Sequence, residues 1–148
     1  MTAPTTAFAP ATAAPTASAA PAPISRAYHV VRVLVGLLLL VNAPIAFFVP
    51  PADMGLNPEA TRTLQSLWDT GYLMHAAKAV ELLAGLALLS NRYVRLALLL
   101  IAPIVVNIIL LDVFKEPKAL LMGLPLLLAV AYLAWQHRAA YGLLLRAR

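Results

Sequence analysis

The chain has no cysteine. This excludes disulfide staples, thiolate nucleophiles, cysteine-ligated iron–sulfur clusters and dithiol relays in one step. Charge is scarce as well: 11% of the 148 residues are Asp, Glu, Lys or Arg, against 62% hydrophobic. A water-soluble domain of this length could not hide so much apolar surface in one core, so lipid must be the solvent for much of it. Six glycines stand singly, without GxGxxG or P-loop spacing, and neither HExxH nor GxSxG occurs. No catalytic residue and no metal site is assigned. The net charge of +5 is no nucleic-acid footprint, because no basic stripe interleaved with aromatics exists. The basic residues fall in the gaps between apolar runs, where topology signals belong.

Residues 1–25 are nearly all Ala, Pro and Thr. Nothing there can pack and the repeated prolines oppose helix, so a disordered tail is expected. It lacks the basic start and apolar core of a signal peptide. Residues 26–148 then form one transmembrane domain. Four apolar runs, at about 30–49, 71–89, 93–114 and 119–135, are each near the ~20 residues a helix needs to cross hydrocarbon. An all-α, integral membrane four-helix bundle follows. The second run is the weakest, being interrupted by His75, Lys78 and Glu81. Its continuation from Leu82 to Leu89 is too apolar to leave in water.

With four spans, the two termini and the turn at Asn91 share a side. That side carries Arg26, Arg32, Arg92, Arg95, Arg138, Arg146 and Arg148 and no acidic residue. The other side mixes Arg62, Lys115 and Lys118 with Asp53, Glu59, Asp69, Asp112 and Glu116. The positive-inside rule puts both termini in the cytoplasm. The first outer loop holds its own element. Asn57-Pro58-Glu59 reads as an N-cap, a proline at N1 and an acidic first turn, followed by Ala60, Leu64, Leu67 and Trp68 at helical spacing. A short amphipathic helix on the membrane surface or over the bundle mouth is expected, unless the segment is a plain connector on the span ends. The charged turn Asp112, Lys115, Glu116, Lys118 reads as a solvated loop.

Ionisable groups inside a bilayer are costly, roughly 2.5–3.5 kcal/mol for Lys or Asp at mid-helix on insertion scales. Lys78 and Glu81 lie near the middle of the second run, three residues apart and so on one face. His75 lies one turn further out. At ~1.5 Å per residue, Asn42, Lys78, Glu81 and Asn107 fall in one layer contributed by three helices. Pro44 and Pro103 free the carbonyls of Leu40 and Leu99 nearby, which Lys78 or the asparagine amides could satisfy. This layer is either a polar pocket for a quinone headgroup or a proton, with His75 near its mouth, or glue fixing helix register. Haem is disfavoured. His29 and His137 lie at the inner interface and His75 toward the outer side, so His75 has no histidine at its own depth; His29 with His137 remains as a pair, although interfacial histidines beside Arg32 and Arg138 are more often solvated.

The segments Lys78-Ala79-Val80-Glu81 through Arg92 and Ala102-Pro103-Ile104-Val105-Val106-Asn107 resemble the second and third spans of the DoxX-like family of small bacterial membrane proteins. Arg32 to Gly36 and Tyr132 to Trp135 with Arg138 also fit, so the resemblance covers about residues 26–141. The chain departs from the family pattern at Ala43, Arg95 and Asp112. The resemblance implies a multi-pass protein of the bacterial inner (plasma) membrane, linked to quinone-dependent oxidation or to oxidative-stress complexes. An accessory subunit with a soluble or membrane redox partner is then expected. The rival readings are a non-enzymatic assembly or chaperone-like membrane protein and, behind it, a small-solute transporter, for which no internal repeat speaks.

Overall fold

A computed structural model describes residues 25–145, so the expected tail, apart from Ser25, lies outside the described residues. The described chain is helical: α1 (Arg26–Phe48), α2 (Pro58–Asp69), α3 (Leu73–Leu89), α4 (Val94–Lys115), α5 (Leu120–Gln136) and α6 (Arg138–Leu145). Helices α1 and α4 run one way; α3 and α5 return. The end holding Ser25, Leu89, Val94 and Gln136 is termed proximal, and the opposite end distal.

Three segments are long and apolar enough to cross a membrane: α1, α4, and α5 with the short turn before it. A fourth exists if α2 and α3 count as one broken span, bent by 93°. Alone, α3 has 17 residues, about 25 Å at ~1.5 Å per residue, short of the ~30 Å of a bilayer core. The bend has a local cause. Thr70 ends α2 and Gly71 follows at φ +78°, a conformation that a side chain would oppose. The run expected from residue 71 therefore becomes a corner followed by a helix from Leu73.

Helix ends follow from their residues. Ser25 Oγ accepts the Tyr28 amide, which starts α1 a turn before the apolar run. Asn57 Oδ1 accepts the amides of Glu59 and Ala60, each at 3.0 Å, so the expected N-cap of the loop helix is present. At the proximal turn Asn91 and Tyr93 both take φ of 56°. Helix α6, after a break at His137, has no counterpart among the sequence expectations.

Helices α1, α3, α4 and α5 pack in a ring, α1 against α3 and α5, and α4 against α3 and α5. The α1–α3 contact is set by glycines. A Cβ on Gly85 would lie 3.1 Å from the Gly36 carbonyl, and one on Gly36 2.9 Å from Leu89, so the two backbones approach as small-residue helix pairs do. Just below, Arg32 is buried and donates through Nη1 to the Leu88 carbonyl. A guanidinium at the carbonyl end of α3 suits the negative end of the helix dipole.

The core is one-sided. Val35, Leu39, Ala84, Leu88, Ala97, Leu98, Ile101, Val105, Val130 and Leu133 form a continuous apolar cluster in the proximal half. The distal half is hollow.

Candidate functional site

Three cavities that share walls occupy the distal half. One of about 520 Å³ lies under α2 between α3 and α4, its apolar wall of Leu64, Leu67, Met74, Ile104 and Ile108 broken by Lys78, Glu81 and Asn107. A second of about 260 Å³ reaches Asn42, Lys78, Asp112 and Glu116. A third of about 220 Å³ reaches Asn42, Glu81 and Asp112 against α5. Lys78 thus stands between the first and second, and Glu81 between the first and third.

Lys78 Nζ donates to both carboxylate oxygens of Glu81, each at 2.8 Å. Helical geometry makes this possible, since residues three apart on α3 stack on one face. The Glu81 residue is 1% exposed and the Lys78 side chain 12%. The ammonium is committed to Glu81 rather than to the carbonyls freed by Pro44 and Pro103. Charge is neutralised within one helix turn, which lets the pair sit in apolar surroundings.

The four residues expected in one layer line adjoining cavities, with none lined by all four: Asn107 borders the first alone and Asn42 the second and third. Asn42 comes from α1, Lys78 and Glu81 from α3, and Asn107 from α4. Neither asparagine bonds to the ion pair; both are exposed, standing where the cavities open between helices. His75 is placed elsewhere. Its ring packs against Phe47 at 5.5 Å and Trp68 at 5.0 Å between centroids, outside the cavity walls, and its Nδ1 is buried without a partner. It fastens α2 to α3 rather than facing the chamber.

Helix α2 roofs the first cavity through Thr63, Leu64 and Leu67. Its hold on the bundle comes from residues read as a solvated turn, and here the structure corrects that expectation. Asp112 and Glu116 are buried, at 6% and 9% exposure. Glu116 Oε2 accepts the Asn57 backbone amide at 2.6 Å, and Asn57 Nδ2 donates to the Lys115 carbonyl. Lys115 in turn pairs with Glu59 at 3.0 Å, on the surface. A carboxylate therefore meets the amino end of α2, a charge that suits the dipole it faces, and the neutral asparagine cap donates to a carbonyl at the end of α4. Asp112 rests against Gly123 of α5, where a Cβ would strike its carboxylate. Sequence reasoning missed Asp112 as a cavity residue. The available signal was its i−4 relation to Glu116 combined with Gly123 in the next helix.

At the proximal end His29 and His137 flank one tyrosine, while His75 lies at the distal end. The Tyr28 ring lies edge-on to both His29 and His137, and its hydroxyl is 2.9 Å from His137 Nε2. Among the described residues no group of three His, Asp or Glu side chains is placed to hold a metal ion. No protein-family model, no curated protein and no solved structure matches the chain.

Proposed function

We propose that this is a four-span, DoxX-like protein of the bacterial inner membrane, with α2–α3 as its broken second span and both termini cytoplasmic. In this reading it serves a quinone-linked or oxidative-stress redox system as an accessory membrane subunit, and its distal chamber takes a quinone headgroup. The observation that carries the reading is the cavity of about 520 Å³ whose apolar wall presents one ion pair and one amide, Lys78–Glu81 and Asn107. Ligand pockets commonly measure about 300–1,000 Å³, mostly apolar with a few placed polar groups.

The chemistry fits a ring with two carbonyl acceptors. An exposed Asn107 amide in a lipid-facing helix lacks water, so a ligand carbonyl is a natural acceptor for it. Lys78 adds a second donor, and Glu81 is a carboxylate within reach of a proton that quinone reduction consumes. Electrons would come from a partner, since the chain has no cysteine to hold an iron–sulfur cluster. The arrangement of cationic residues supports the orientation: Arg32, Arg92, Arg95 and Arg138 lie at the proximal end, whereas all the acidic residues except Glu81 lie distally.

The test is quinone content. Protein purified in mild detergent should carry extractable quinone, and Lys78→Met and Glu81→Gln should each lose it while remaining folded. Absence of quinone from the wild type, with both variants merely less stable, would shift the assignment to a membrane assembly factor. That rival is favoured by one observation, the use of two of the three Lys78 N–H donors on Glu81.

A further inference from the structure

The proximal end holds a second cleft, unconnected with the redox chamber. It measures about 450 Å³ and lies between the start of α1, the start of α4 and the end of α5, with Tyr28, Asn91, Tyr93, Arg95 and His137 in its wall. Its floor is built: Tyr28 is 3% exposed and held through its hydroxyl to His137. Tyr141 donates to the Arg95 carbonyl at 2.9 Å, which fixes the backbone beneath that guanidinium. Val94, Arg95 and Leu96 are the first turn of the 22-residue α4, which has no capping side chain and no acidic residue there. Its free amides add positive potential to the cation already in the wall.

The charge around the cleft is one-sided. Among the described residues the ion pairs are Lys78–Glu81 and Lys115–Glu59, neither of them at this end. Between Ser25 and Arg32, Leu88 and Arg95, and Leu133 and Gly142 there is no acidic residue. Arg92 lies over the Tyr93 ring at 5.9 Å and Arg138 over Trp135 at 4.7 Å. These guanidiniums are steadied by aromatic faces and have no carboxylate partner among the described residues, so their N–H groups can meet an oxyanion. Tyr93 and Trp135 are exposed, as aromatics at a membrane boundary are, and exposed Leu96 leads from the cleft onto the apolar flank of α4.

We propose that this cleft binds the phosphodiester of an anionic phospholipid from the adjoining leaflet, with Arg95 as its principal cation. The acyl chains lie along the apolar flank of α4 beyond Leu96. The inference rests on the membrane-spanning part of the proposed function and not on the redox part.

The full chain, in detergent with phosphatidylglycerol and phosphatidylcholine supplied in equal amounts, is examined by native mass spectrometry. Retention of phosphatidylglycerol over phosphatidylcholine is expected. Arg95→Gln should reduce that retention about fivefold, the effect of one cation near an anionic surface. Arg62→Gln on α2, at the distal end, should leave it unchanged. Equal retention of the two lipids, or an equal loss in both variants, would overturn the proposal. So would displacement of the lipid by millimolar inorganic phosphate, which would make the ligand a soluble anion. Release of the chain from membranes by alkaline carbonate would overturn the spanning reading and this site with it; loss of quinone binding alone would leave the lipid site standing.

Discussion

Removing Lys78 should harm the protein more than removing Lys78 and altering Glu81 together. In Lys78→Met the Glu81 carboxylate, 1% exposed, loses the ammonium that contacts both its oxygens. Breaking a buried pair from one side typically costs about 3–5 kcal/mol. The lower part of that range applies here, about 3 kcal/mol, because Glu81 borders two cavities that offer some relaxation. Glu81→Gln strands the ammonium instead, but Lys78 is 12% exposed at the cavity wall, so about 2 kcal/mol is expected. The double variant Lys78→Met/Glu81→Gln leaves no unpaired buried charge at this site and should fall within about 1 kcal/mol of wild type. The cycle then gives a coupling of about 4 kcal/mol, far above the ~0.6 kcal/mol average of interhelical polar contacts in membranes. Reversible unfolding in mixed micelles, followed by tryptophan fluorescence, measures all four proteins. The reasoning fails if each single variant loses under about 1 kcal/mol, or if the double variant loses the sum of the singles.

Two further outcomes are expected. Burial, reinforced by the neighbouring Arg95 cation, lowers the His137 pKa below the ordinary histidine value. The folded protein therefore binds fewer protons than the unfolded one as pH falls through about 6.5, so the stability contributed by neutral His137 is full above that pH and is lost on further acidification until the folded pKa is passed. Thermal unfolding from pH 7.5 to 5 should show this slope, and His137→Gln should flatten it; an unchanged slope in the variant would assign the effect elsewhere. Asn57→Ala removes the α2 cap and the bond to the Lys115 carbonyl, together worth about 2 kcal/mol. Hydrogen exchange should rise in α2 while α1 and α3 stay protected, and a uniform rise across the helices would contradict a separately docked roof.

Much of this architecture is written locally. The apolar runs anticipate α1, α4 and α5, and Asn57-Pro58-Glu59 announces α2, because caps and span length depend on neighbouring residues. Depth arithmetic along each helix put Asn42, Lys78, Glu81 and Asn107 at one level, and they line neighbouring cavities, with Asn42 and Asn107 on different ones. The right-angle corner was not legible, since Gly71 reads equally well as the first residue of a span until its φ is known. His75 shares a helix with Lys78 and Glu81, yet its surroundings were set by Phe47 and Trp68 on other elements. Asp112 and Glu116 looked solvated because charge at a helix end usually is; their burial depends on long-range contacts, Asp112 against Gly123 of α5 and Glu116 against Asn57 at the start of α2. The hollow distal half was equally hidden, because packing density belongs to the fit between helices and leaves no mark on any one of them.

Arg32 has a consequence for how the chain is made. It lies in the second turn of α1, buried, with its guanidinium on the carbonyl end of α3. While α1 is the only helix synthesised, that partner does not exist, and an arginine within an apolar segment is a costly resident of lipid. In the membrane-spanning reading, the first helix is expected to wait, snorkelling at the boundary or shielded by the insertion machinery, until Leu88 and Leu89 have emerged. On that reading insertion of α1 and α3 is expected to be coupled, the glycines at 36 and 85 permitting the close approach of the pair. Truncation before Leu88 should leave a nascent chain that inserts poorly, although its first helix is complete.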